Sequence, residues 1–368
     1  MSADPRRAEL DAAVLAWMRE PDWREDDARF GLLALRLFEY QYANCEPYRR
    51  FCVAQDVGPR DIERWQDVPA VPAGAFKELR IASFGPARDA KIFCTSGTAT
   101  SRRGSLHLDT LELYETSLLA TLQTLLFADL GSAQRTTLRI LAPAPAEAPD
   151  SSLSHMFGRL LEARGDAHSG YDVRGGKLDA EGLLYALETD RPVALLGTAF
   201  AFVHLLDALD ARGGGPLTLP PGSRAMETGG FKGLSRELPR EQLHVAMSDA
   251  LGIDPGRIVN QYGMTELGSQ FYDSVLVDPA GARRKLGPPW VRVRRIDPAS
   301  GEEAEPGEPG MLSIHDLVNT GSTCAIQTAD LGRRVAGSPE GFELLGRLPG
   351  AEARGCSIAA DSMLGEAV

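Results

Sequence analysis

Residues 91–105, Lys91-Ile92-Phe93-Cys94-Thr95-Ser96-Gly97-Thr98-Ala99-Thr100-Ser101-Arg102-Arg103-Gly104-Ser105, concentrate hydroxyls and small residues between a short apolar run and two arginines. The run Ile92 to Cys94 reads as a strand end, and the pattern predicts a strand-to-helix turn. Such a turn can wrap an anion: Gly97 and Gly104 allow tight backbone, hydroxyls donate, and a helix N-terminus adds its dipole. A triphosphate is the guest that suits it, and a plain polar loop is the alternative. Two later stretches have matching chemistry. In Ala225-Met226-Glu227-Thr228-Gly229-Gly230-Phe231-Lys232-Gly233, paired glycines let backbone lie flat against a planar base, with Lys232 two residues on. In Ile258-Val259-Asn260-Gln261-Tyr262-Gly263-Met264-Thr265-Glu266, a strand is followed by an aromatic, a glycine, a hydroxyl and a carboxylate. Adjacent Thr265 and Glu266 offer one ligand to a phosphate and one to Mg²⁺.

The elements that must position these residues follow from periodicity. Leu10, Val14, Trp17 and Met18, then Leu33, Leu37 and Tyr40 or Gln41, recur at helical spacing. A Pro-rich irregular stretch over residues 58–72 leads to Lys77, read here as a solvated lysine. Asp109 is expected to cap a helix with Leu111, Tyr114, Leu118, Leu122, Leu125 and Leu126 on its apolar face. Apolar strands are expected at 138–142, leading into a second polar loop, and at 191–198, followed by a helix from Phe202 to Leu209; strands alternating with helices imply a mostly parallel sheet covered on both faces. Ligands of such sheets sit beyond the carboxyl ends of the strands, where the polar loops fall. His155 is assigned to the loop after the second strand, where a hydrogen-bonded structural histidine is one reading. Past Asp273 short strands and Gly/Pro/Glu turns predict an antiparallel β subdomain.

With 368 residues, 43% hydrophobic and 24% charged, the chain can bury a sizeable core. A formal charge of −12 argues against a general electrostatic grip on nucleic acid or anionic lipid. The polar N-terminus and the lack of a long apolar run predict no signal peptide and no membrane span, hence a cytoplasmic protein. Five cysteines without a close pair fit a reducing compartment and give no zinc pattern; Cys45, Cys52, Cys94 and Cys324 are expected in packing. His107, His168, His204, His244 and His315 have no metal spacing, and Arg294-Arg295 reads as a solvated face.

Taken in order, several of these loops resemble one superfamily. Thr95-Ser96-Gly97-Thr98 is similar to the phosphate loop of adenylate-forming enzymes, and Tyr262-Gly263-Met264-Thr265-Glu266 to their aromatic-Gly-x-Thr-Glu motif. Thr328-Ala329-Asp330 looks like their ribose-binding Thr-Gly-Asp, and Gly346-Arg347 with Arg354-Gly355 like their hinge. The Met264-Thr265-Glu266-Leu267 run, the Thr228 to Gly233 stretch and the terminal Arg354-Gly355-Cys356 resemble the LuxE-type acyl-protein synthetases, the fatty acid protein ligases of bacterial luminescence. The likeness covers residues 93–358. The usual Thr-Gly-x-Pro-Lys continuation is replaced by Ala99-Thr100-Ser101-Arg102-Arg103, which would pass the basic role to an arginine.

The resemblance implies an α/β adenylate-forming large domain, with mostly parallel sheets flanked by helices, a small antiparallel β subdomain and a truncated mobile C-terminal domain. It divides the chain into an N-terminal helical region at 1–90, a nucleotide- and acid-binding core at 91–272, a β subdomain at 273–345 and a hinge-like tail at 346–368. It implies ATP and Mg²⁺, and a carboxylic acid, expected to be a fatty acid, activated as acyl-adenylate. Carried over, Thr95, Ser96, Gly97 and Thr98 would form the phosphate loop. Gly229, Gly230, Tyr262 and Gly263 would frame the adenine, Thr265 would meet the α-phosphate, Glu266 the Mg²⁺, Asp330 and Arg347 the ribose, and His155, in the loop where relatives place a residue near the acid's carboxylate, would line the substrate pocket, a structural histidine being the alternative. The lysine that relatives carry in their mobile domain has no counterpart, and Lys232 is the internal candidate to replace it, with an exposed or structural role as the alternative. Cys356 would take the acyl group as a thioester, an intramolecular transfer favoured by effective concentration. It would then pass the group to a partner protein such as an acyl reductase, acyl carrier or thioesterase. Two other readings are an adenylating ligase that delivers directly to CoA, a carrier protein or an amine, and a non-catalytic subunit with a nucleotide fold.

Overall fold

The computed structural model describes residues 4–95, 102–213, 215–229 and 238–348. The chain forms two compact units that interleave along the sequence, whereas the sequence reading divides it linearly. One comprises Met1–Ala120, Met264–Gln270 and Lys285–Val368, the other Thr121–Gly263 and Phe271–Arg284.

In the first unit, helices Pro5–Met18, Asp27–Asn44 and Glu46–Val53 bury the helical-period residues Leu10, Val14, Trp17, Phe30, Leu33 and Leu37. Asp4 and Asp26 cap the first two through the amides of Arg6 and Arg29 at 2.8 and 2.9 Å. An antiparallel sheet runs in the order Val291–Ile296, Gly310–Asp316, Ala325–Val335, Gly341–Arg347, Lys285–Leu286. The short strand Val71–Pro72 joins it in parallel, with Val71 opposite Ile326. This is the antiparallel β region expected past Asp273.

Two expectations are corrected here. The segment after the 91–105 loop is a strand, Ser105–Leu108, paired antiparallel to Lys91–Cys94 with Cys94 opposite Ser105. A strand, not the expected helix, therefore follows Arg103-Gly104; Ser-Leu-His-Leu alternates with period two and buries Leu106, which is a strand signature. Asp109 does not cap the following helix, Glu112–Leu125. Its carboxylate is held instead by the buried Arg7 at 3.0 Å and by Arg88 at 2.7 Å, and Thr110 Oγ1 accepts from the Glu112 amide at 3.3 Å.

The second unit holds a sheet in the order Phe271–Asp273, Ile258–Tyr262, Arg224–Thr228, Val193–Thr198, Thr137–Leu141, Gly170–Tyr171. Every pair is parallel except Phe271–Asp273 with Ile258–Tyr262. Its central strands are buried along almost their whole length because both faces are covered; Val193–Thr198 reads as an apolar run, while Arg224–Thr228 and Ile258–Tyr262 also bury Arg224, Glu227, Asn260 and Gln261. Leu195, Phe202, Leu205, Leu206, Leu243 and Met247 form its core with helices Ala199–Arg212 and Arg240–Leu251, each such side chain contributing roughly 1.5–3 kcal/mol. Those helices stop at Gly213 and Gly252, whose φ values of +68° and +64° suit glycine. His155 lies inside helix Ser152–Arg164 and not in the preceding loop, because Ser151 caps the helix by accepting from the Ser154 amide at 3.1 Å. Among the described residues no helix is long and apolar enough to cross a membrane.

Candidate active site

The first unit gathers charged groups around Glu266. The neck of the 91–105 hairpin closes by two hydrogen bonds, from Thr95 N–H to Gly104 O and from Gly104 N–H to Thr95 Oγ1, both 2.9 Å. A Cβ on Gly104 would sit a tight 3.2 Å from Thr95 Cγ2 and in ordinary contact, 3.5 Å, with both Glu266 Oε1 and Lys77 Cγ, so all three side chains border this position. Glu266 is 5% exposed. Burial pushes its carboxyl up to about 7, against the downward pull of its own amide and of the Lys77 and Arg347 charges, while Asp330 adds to the rise. Asp330 and Arg347 face each other as register partners on neighbouring strands, with Arg347 Nε donating to Asp330 Oδ1 at 3.1 Å. The Asp330 amide donates to Thr328 Oγ1 at 3.1 Å, fixing the backbone of strand Ala325–Val335 that carries the aspartate.

Three buried contacts hold the segment Met264–Gln270 in place. Asn319 Nδ2 donates to the Glu266 carbonyl at 2.8 Å. Asp316 accepts from the Ser269 amide at 2.7 Å and from Ser269 Oγ at 2.9 Å. Trp290 Nε1 donates to Ser117 Oγ at 2.9 Å, and Ser117 Oγ lies 3.0 Å from Ser269 Oγ. With Ser269 committed to donating toward Asp316, Ser117 is the donor to Ser269, so the relay runs one way from indole to carboxylate. Every member is buried, which raises the cost of breaking any link. Burial lifts Asp316 to about 6, and the hydrogen bonds it accepts from Val318, Ser269 and Gly268 oppose that rise.

In the second unit, Gly229 ends strand Arg224–Thr228 with φ +76°, and a Cβ placed on it would meet nothing within 4 Å, so its glycine identity answers to conformation and not to crowding. Thr228 Oγ1 donates to the Gln261 carbonyl at 3.2 Å, tying this strand end to the next. Glu227, 1% exposed, accepts from Asn260 Nδ2 at 2.7 Å and lies 3.1 Å from His244 Nε2. Tyr262 is buried, its ring 5.9 Å from that of Phe271, and Gly263 is exposed. His155 is half-buried on its helix.

The structure thus brings together Thr95, Glu266, Asp330 and Arg347, with Thr265 adjacent to Glu266 and partly buried. Ser96, Gly97, Thr98, Gly230, Lys232 and Cys356 lie outside the described residues. The residue missed is Lys77, read as solvated and found partly buried beside Glu266. The neighbouring Ala75 and Phe76 are buried, a local sign that this short segment is docked; its partner Glu266 lies far along the chain and leaves no mark on local spacing. The loop arginines have partners of their own within the described chain. Arg102 pairs with Glu78 at 2.6 Å and Arg103 Nε donates to the Thr95 carbonyl at 2.6 Å, so both brace the hairpin. Arg294 donates to the Gln66 carbonyl and to Glu303, and His315, whose burial lowers it to about 3, is a neutral core residue. Among the described residues no group of three or more His, Cys, Asp or Glu could hold a metal. One buried carboxylate with Asp330 nearby suits a Mg²⁺ that arrives on phosphates, since that ion takes one or two protein carboxylates and fills its shell with phosphate and water.

Comparison with known proteins fits this arrangement. The chain is 23% identical over 312 residues to the long-chain-fatty-acid–luciferin-component ligase of Aliivibrio fischeri, covering 82% of this chain and 78% of that protein. It is 22% identical over 332 residues to the corresponding ligase of Vibrio harveyi, with 87% and 84% covered. Its fold matches a 2-hydroxyisobutyryl-CoA ligase solved in an open conformation with 2-HIB-AMP and CoA, with TM-score 0.64, 14% identity, and 88% and 71% of the two chains covered. The same ligase in its postadenylation state with R3-HIB-AMP superposes with TM-score 0.63 at 14% identity, over 94% and 70%. The fold is that of the adenylate-forming ligases. Residues 178–365, just over half of the chain, match the family model described as acyl-protein synthetase, LuxE, and the chain accordingly belongs to the LuxE family of acyl-protein synthetases, a family of ligases.

Proposed function

We propose that this ligase activates a carboxylic acid, a long-chain fatty acid by analogy with its relatives, as the acyl-adenylate, and then transfers it to its own Cys356 and on to a partner protein. The observation that carries the first step is the buried Glu266 carboxylate, set among Lys77, Asp330 and Arg347 at the neck of the Thr95–Gly104 hairpin. This arrangement suits phosphoryl chemistry, which asks of a protein mainly charge neutralisation and positioning. Thr95 with Ser96, Gly97 and Thr98 would cradle the phosphates of ATP, Thr265 would donate to the α-phosphate, and Asp330 and Arg347 would hold the ribose. Gly229, Gly230, Tyr262 and Gly263 are the adenine contacts of the same reading, and His155 its candidate at the acid. Glu266 would hold Mg²⁺, which neutralises phosphate charge when bound. The acid's carboxylate oxygen attacks the α-phosphorus and pyrophosphate leaves with the electron pair of the broken bond. The Cys356 thiolate then attacks the acyl carbon, AMP leaves, and a thioester results. An acyl reductase, an acyl carrier or a thioesterase is the class of partner that consumes such a thioester.

Intact-protein mass spectrometry after incubation with Mg-ATP and a panel of fatty and aromatic acids tests both steps. The expected result is a hydroxylamine-labile acyl mass on the wild-type chain and none on Cys356→Ser. Acid-dependent ATP consumption without an adduct would replace the second step with direct transfer to CoA, a carrier or an amine. The absence of both would leave a nucleotide-fold subunit without catalysis.

A further inference from the structure

The segment that carries Lys77 is built into the sheet that carries Asp330. Val71 and Pro72 pair with Ile326 and Gln327, the Ala73 amide donates to the Gln327 carbonyl at 2.9 Å, and Ala75 and Phe76 are buried in the one-turn helix Ala75–Glu78. Lys77 therefore has a fixed backbone, and its side chain stands partly buried at the Gly104 neck, its Cγ as close to that position as Glu266 Oε1 is. Its charge acts on the Glu266 carboxylate without closing an ion pair, and among the described residues its ammonium makes no hydrogen bond or ion pair at all. The neighbouring cations are engaged: Arg102 by Glu78, Arg103 by the Thr95 carbonyl, Arg347 by Asp330. Two carboxylates, Glu266 and Asp330, share this corner, so a polyanion entering it needs positive charge supplied locally.

Building on the adenylating function proposed above, we propose that Lys77 is a catalytic residue whose ammonium holds a phosphate oxygen of ATP beside Glu266 during acid activation. An ammonium is a compact charge with three donors on a pliable stem, suited to following phosphate oxygens as the α-phosphorus changes partners. The bond formed joins the acid oxygen to the α-phosphorus, the bond broken releases pyrophosphate with its electron pair, and the lysine neutralises charge without exchanging a proton. It thus supplies from the N-terminal side of the chain the positive charge for which Lys232 was the candidate by sequence.

The test compares wild type with Lys77→Ala, Lys77→Met, Lys77→Arg and Lys232→Ala. Two readouts are used: equilibrium dialysis of ATP without any acid, and acid-dependent exchange of labelled pyrophosphate into ATP. We expect Lys77→Ala and Lys77→Met to weaken ATP binding about 10- to 100-fold and to slow exchange at least as much, with melting temperatures near wild type. Lys77→Arg should recover a large part of both. Lys77→Ala and Lys77→Met that bind ATP and exchange within twofold of wild type would overturn the assignment. So would a loss in Lys77→Arg as deep as in Lys77→Ala, or a loss confined to Lys232→Ala. A wild-type chain that binds ATP yet exchanges no pyrophosphate with any acid would overturn the adenylation reading; the dialysis result would still decide the lysine's contact.

Discussion

At the scale of single residues the site is governed by how far burial pushes carboxylates toward neutrality. Burial raises Glu266 to about 7 against the opposing Lys77 and Arg347 charges, whereas Asp316 is fully buried with only hydrogen bonds to oppose its rise. Asp316 titrates near 6 in the fold against 3.8 for an ordinary aspartate, and the sign of its effect on stability follows. Below about pH 4 the carboxyl is protonated in both folded and unfolded chains, and its contribution is fully present. As pH rises the unfolded chain ionises first, so this contribution is lost up to about pH 6 and stays lost above. Asp316→Asn should flatten that part of the profile. Urea midpoints at pH 4 and pH 7 are the measurement: the fall between them should be smaller in the variant than in wild type, and an unchanged fall would place the titration elsewhere.

Elements matter here through the way they aim short peptides. The stretch Met264–Gln270 has no regular structure over most of its length, yet it carries Thr265 and Glu266. Its geometry is set by the strand Gly310–Asp316, which contributes Asp316, by the turn holding Asn319, and by Ser117 on helix Glu112–Leu125. Gly268 is what lets the stretch lie close: a Cβ there would meet Val318 Cγ1 at 2.4 Å and Asn319 Oδ1 at 3.0 Å. Gly268→Ala should therefore cost about 1–3 kcal/mol of stability by overpacking. It should also depress acid-dependent pyrophosphate exchange about tenfold or more, because displacing Asn319 moves the carbonyl of Glu266. Ser269→Ala, which leaves volume almost unchanged, should lose about 1–3 kcal/mol through the unsatisfied Ser117 and Asp316. Urea unfolding with exchange rates on the same preparations checks both variants.

For the whole molecule, the telling feature is that Lys77, Thr95, Glu266, Asp330 and Arg347 come from widely separated stretches of one interleaved unit, all before residue 349. Acid activation and acyl transfer should then be separable. A chain ending at Leu348 should keep acid-dependent exchange within about tenfold of wild type, since it retains every described group of the cluster. It should show no covalent acyl adduct, because Cys356 is gone. Loss of exchange in a truncated chain that still melts cooperatively would tie activation to the removed residues.

The class of fold was legible in the sequence because parallel strands covered on both faces leave long apolar runs, such as Val193–Thr198, and helices leave a period that Leu10, Val14 and Trp17 display. Thr265, Glu266, Asp330 and Arg347 stood out as candidates in the sequence, since each sits in a short motif whose order along the chain carries the resemblance. The hairpin after Thr95 was misread because its hydroxyl-rich tip masks a four-residue strand, Ser105–Leu108, whose alternation is too short to stand out. Lys77 was invisible for a different reason. Its role depends on a carboxylate brought to it by the pairing of Val71–Pro72 with Ala325–Val335 and by the Asp316 clamp on Ser269. Sequence by itself determined which groups this protein owns and in what local company. Tertiary structure alone decided which charges meet, because electrostatic coupling depends on distance and burial, and neither is written in spacing along the chain.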